Sequence, residues 1–85
     1  WRIKAHAAFD RLWGRDDPYV SNRQGNRIVA YRWLAHQLGI ADWARDCHIG
    51  MFNIEQCQQV IAACAGATWQ AVTDWHHQDR AQRYR

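Results

Sequence analysis

The chain has 85 residues, 48% of them hydrophobic, with six tryptophans and a formal charge of +3. A chain this short supports one core, burying ~60% of its unfolded surface, and three cysteines exclude a complete disulfide framework. No signal-peptide pattern opens the sequence and no apolar run approaches the ~20 residues that span a membrane, so no membrane partner is expected and the composition reads as that of a cytoplasmic protein with free thiols.

Alanine is frequent, Gly and Pro are rare and β-branched runs are absent, which predicts an all-α fold of helices packed on helices. In chain order, Trp1, Ala5, Ala8, Phe9 and Leu12 recur at helical spacing and form one apolar stripe, which Gly14 ends. Residues 14–25 read as an irregular loop, with Asp16-Asp17-Pro18 and Gly25 as breakers and Tyr19 and Val20 as anchors on the core. Asn26 is the expected cap of a second helix with Ala30, Tyr31, Leu34, Ala35 and Leu38 on its apolar face and Gly39 as its stop.

Residues 39–52 form an apolar connector, with one short turn after Asp42 and with Ile49, Met51 and Phe52 expected to plug the core. Asn53 and Gln56 spell a capping box, and Phe52 and Cys57 a hydrophobic staple. Ile54, Cys57, Ile61 and Cys64 then mark the buried stripe of the third helix, with Gly66 at its end. Thr68 caps a fourth helix with Trp69, Val72 and Trp75 inward. The expectation is a compact bundle of three to four helices in one domain, residues 1–75, followed by a basic polar helix end over 76–85.

Two segments carry a resemblance. They are the run from Ala5 to Trp13, and AYRWLAHQLGI over 30–40 followed by CHIGMF over 47–52 and Cys57. Over about residues 1–62 the chain resembles the C-terminal helical half of a bacterial and phage zinc-finger-containing domain family of unknown function. In that family a zinc ribbon with its own cysteine pairs lies upstream of the helical half. This chain has no Cys-x-x-Cys, so none of those ligands maps onto a residue here. The loop before Asn26 is longer than the family's usual turn, and no match extends past about residue 65. The phage and mobile-element setting of the family implies roles in host interaction or nucleic-acid binding, by analogy.

The candidate sites follow from residue chemistry. Cys47, His48 and Cys57 are the candidate zinc ligands, with Cys64 beside them and His6, His36 or a terminal histidine as the fourth. Their spacing matches no standard zinc pattern, and Cys57 and Cys64 sit on an apolar stripe where free cysteine acts as a small hydrophobe. The expectation is therefore no metal and no cofactor. Cys47 beside His48 is a nucleophile–base pair in sequence alone, because catalytic pairs meet in space, so no catalysis is expected.

Ten of the eleven basic residues are arginine, whose planar fork suits phosphate and aromatic faces. Arg23, Arg27 and Arg32 on the second helix, and His76, His77, Arg80, Arg83 and Arg85 at the C-terminal end, form the expected nucleic-acid or nucleoprotein interface. Trp33 and Trp43 are expected at the surface as contact residues. Two alternatives stand beside this reading. One is a phage-type protein-interaction module that inhibits a host defence complex in the anti-CRISPR manner, with a host protein as partner. The other is a structural scaffold for an upstream zinc ribbon, an option left open by a chain that begins at Trp1 rather than Met.

Overall fold

Helix boundaries here are set by caps. The computed structural model describes residues 1–15, 17 and 22–83, the last by its backbone only. Helix α1, Arg2–Trp13, stops at Gly14, whose φ of 78° is left-handed and lets its amide return to the Asp10 carbonyl. Helix α2, Arg23–Leu38, closes the same way at Gly39, with φ of 71°. A single turn, α3, spans Trp43–Asp46 under an Asp42 cap, and a 3-10 turn follows over Ile49–Met51.

Helix α4, Ile54–Ala65, opens with both halves of the expected capping box. The Gln56 amide donates to Asn53 Oδ1 at 2.8 Å, and the Asn53 amide donates to Gln56 Oε1 at 3.1 Å. Helix α5, Trp69–Arg83, begins with the Ala71 amide donating to Thr68 Oγ1 at 3.1 Å. The fold is all-α, with four longer helices and the single turn α3, and no strand occurs among the described residues.

α1 packs most extensively on α4. Their first turns flank one groove and their last turns another, so the two helices run side by side in the same direction. α2 touches α1, α4 and α5 and is the central helix. Phe9, Leu34, Ile49, Val60 and Val72 are fully buried where these elements meet, each stabilising the fold by ~1.5–3 kcal/mol. Tyr31 extends this core toward α1, its ring 4.5 Å from that of Phe9.

Several expectations need correction. The second helix is capped by Asn22, not Asn26, and Gly25 lies inside its first turn. Asn22 Oδ1 accepts from the Gly25 amide, and a Cβ at residue 25 would stand 2.5 Å from the Asn22 side chain. Glycine is there to admit the cap, not to break the helix.

Trp33 is buried, with only 5% of its surface exposed. Because α2 has neighbours on three sides, Ala30, Trp33, Leu34 and Ala35 are all inward, a wider face than one stripe. On α4 the inward set is Cys57, Val60 and Cys64, while Ile61 is half-buried and Ile54 exposed. On α1 the inward set is Ala5, Phe9 and Trp13, and Trp1 is exposed. Ile49 and Phe52 plug the core, whereas Met51 faces solvent. On α5 Val72 is buried, and Trp69 and Trp75 are half-buried at its margins. Tyr19 and Val20 lie outside the described residues.

Candidate functional site

Helix α2 divides the expected interface in two. On the side toward α1, the Arg23 guanidinium donates to the carbonyls of Arg15 and Asp17, at 3.0 and 2.8 Å. Arg23 therefore ties the start of the loop to α2. Arg27 lies over the Tyr31 ring, 5.1 Å from its centroid. Burial pushes the Tyr31 phenol above its ordinary pKa, against the opposing pull of Arg27. Asp10 accepts from Trp13 Nε1 and from Arg15, at 3.2 and 3.1 Å, so this side is a network already holding its own carboxylate.

The side toward α5 is different. Arg32 and His36 on α2, Trp43 on α3, and Trp75 and Asp79 on α5 border a cleft of about 200 Å³. Arg32 and His36 reach it together because they stand one helical turn apart, as do Trp75 and Asp79. Arg32 Nη2 is 3.8 Å from Asp79 Oδ2, an ion pair too long to be a direct hydrogen bond. The His36 and Trp75 rings pack tilted, with centroids 5.3 Å apart.

His76 adjoins the cleft. Burial lowers its pKa, and the charges of Arg32, Arg80 and His77 lower it further, against Asp79. Its Nδ1 is buried without a hydrogen-bond partner among the described residues. The His77 ring stands 5.9 Å from that of His76.

Of the ten residues expected at the interface, Arg32 and Trp43 line the α2–α5 cleft, and His76 stands near Arg32, with His77 and Arg80 beside it on α5. Arg23 and Arg27 belong to the other side of α2, and Trp33 is a core residue. The Arg83 side chain and Arg85 lie outside the described residues. Sequence reasoning missed His36, Trp75 and Asp79. The one-turn spacings of Arg32 with His36 and of Trp75 with Asp79 were the available signal.

The model of a zinc-finger-containing domain matches residues 1–66, which run from the start of α1 through the end of α4. The chain belongs to the zinc-finger-containing domain family. Curated proteins and solved structures gave no match to it. Helix α5 lies beyond the matched residues, so the matched residues supply one wall of the α2–α5 cleft and α5 the other.

The cysteines and histidines of this zinc-finger-containing domain are held apart by contacts of their own among the described residues. Among the described residues no three His, Cys, Asp or Glu side chains stand together to hold a metal. The Cys47 thiol points at the Tyr31 carbonyl, with Sγ–O of 3.7 Å, and Cys57 at the Phe52 carbonyl, at 3.9 Å. His48 Nε2 is 3.0 Å from the Ala44 carbonyl. Burial pushes the Cys47 and Cys64 thiols up to about 11. No described helix is long and apolar enough to cross a membrane.

Proposed function

We propose that this domain is a non-catalytic nucleic-acid-binding module that takes a single strand at the α2–α5 cleft. The observation that carries the reading is the grouping of Trp43 and Trp75 with Arg32 in one cleft, with His76 and Arg80 close by on α5. Half-buried aromatic side chains offer a base a stacking surface worth ~1–3 kcal/mol per base. A guanidinium beside them meets the adjoining phosphate. Arg32 is suited to this because its ion pair with Asp79 is long, so a phosphate oxygen competes with the carboxylate for it.

A non-catalytic role is supported by the state of the nucleophiles. The Cys47 and Cys64 thiols are buried and held protonated at neutral pH. His48, next to Cys47 in sequence, is turned to the Ala44 carbonyl instead.

The test is titration of a labelled single-stranded oligonucleotide, followed by anisotropy across a salt series. Two phosphate contacts, at Arg32 and Arg80, give a slope of about −1.4 in log K against log salt. Trp43→Ala is expected to weaken binding by ~1–3 kcal/mol without unfolding the domain. Binding that ignores salt, or that survives the loss of Trp43, rules this reading out.

A further inference from the structure

We infer that the end of the molecule where α1 and α4 begin is a docking face for an acidic amphipathic segment of a partner protein. Four large apolar side chains are exposed at this end: Trp1 at 51%, Ile3 at 86%, Met51 at 80% and Ile54 at 58%. Single exposed hydrophobics are ordinary, but a cluster marks a surface that something covers. Trp1, Ile3 and Ile54 border a groove of about 760 Å³ with Phe52 and Cys57 in its lining, and Met51 immediately precedes Phe52. The groove shares no residue with the α2–α5 cleft, so the two surfaces stand or fall independently.

Charge selects the occupant. Because α1 and α4 run in the same direction, both present the positive ends of their dipoles here. The first turn of α1 contains no acidic residue and carries Arg2 and Lys4. Arg2 Nε donates to the Phe52 carbonyl at 3.0 Å, which fixes its guanidinium at the groove edge. Lys4 Nζ lies 5.0 Å from the centroid of the Trp1 ring. Glu55 is the one carboxylate among the groove residues.

A second copy would bring the same cations and the same helix ends to the contact, on a chain already at +3, so self-association is disfavoured. A segment with apolar residues one helical turn apart and carboxylates on its flanks satisfies both features, by the helix-in-groove mode.

The probe is a designed peptide of roughly four helical turns. It carries Leu at i, i+3, i+4 and i+7 and Glu elsewhere, and is compared with a sibling carrying Lys for Glu. Affinities are read by calorimetry, and folding of every variant by circular dichroism. The Glu peptide is expected to bind at least about tenfold tighter than the Lys peptide. Ile54→Asp and Ile3→Asp, both at exposed positions, are expected to abolish binding with the helical spectrum intact, and Lys4→Glu to erase the preference. Equal affinity for the two peptides overturns the inference, as does no binding at about 1 mM or binding untouched by Ile54→Asp. A dimer seen by sedimentation and weakened by Ile54→Asp also overturns it, by giving the groove to a second copy.

Discussion

Trp33 and Trp43 are close in sequence and alike in chemistry, and the structure assigns them opposite consequences. Trp33→Ala removes a side chain that is 5% exposed. A tryptophan buries ~150–250 Å², which at about 25 cal/mol/Å² is worth ~4–6 kcal/mol. Partial collapse of the cavity brings the expected loss to ~3–5 kcal/mol. A domain of this length has a total stability of ~4–13 kcal/mol, so the variant loses a large share of it or unfolds. Trp43 is half-buried at the rim of the α2–α5 cleft, and Trp43→Ala should cost less than about 1.5 kcal/mol. Urea denaturation followed by far-ultraviolet circular dichroism measures both, free of the fluorescence the substitutions remove. At a slope near 1 kcal/mol/M, the Trp33→Ala midpoint should fall by at least about 3 M, or the variant is unfolded without urea. A Trp33→Ala variant within about 1 kcal/mol of wild type would refute the packing described for α2.

Further expectations can be checked by simple means. Asp79→Asn removes the carboxylate that competes for Arg32 and should raise single-strand affinity several-fold; unchanged or weaker binding contradicts the exchange. Asn53→Ala leaves the Gln56 amide without its cap and should cost ~1 kcal/mol in chemical denaturation. Chelators should leave the melting temperature unchanged, and Cys47 and Cys64 should resist alkylation at pH 8 until urea is added. His76 has a folded-state pKa below its unfolded value, so the unfolded chain binds the proton first as pH falls. Stability is then full above the ordinary histidine range and declines as pH drops below it. His76→Gln should flatten that decline in melting curves recorded from pH 7.5 to 5.

Local chemistry was legible in the sequence where it closes within a few residues. Gly14 and Gly39 as left-handed stops, and Asn53 with Gln56 as a capping box, need no tertiary neighbour to act. Gly25 misled because its role depends on the side chain of Asn22, which folds over it. Trp33 misled for another reason. A narrow apolar stripe is the signature of a helix with one neighbour, whereas α2 packs on α1, α3, α4 and α5. The site was legible in its residue types but not in its pairing. Nothing local couples Arg32 to Asp79, or Trp43 to Trp75; the packing of α5 on α2 does that.

The side-by-side, same-direction arrangement of α1 and α4 also has a consequence for synthesis. Two such helices cannot be joined by a tight turn, and here the whole of α2 and the connector intervene. Helix α1 therefore waits for its main partner until α2 and the connector have also been made. Until then α2, through Tyr31 against Phe9, is the only long helix of the core that α1 can pack on. Contacts of such long sequence separation form late and slow folding, so the face of α1 that α4 covers is open to misassociation until α4 has been made.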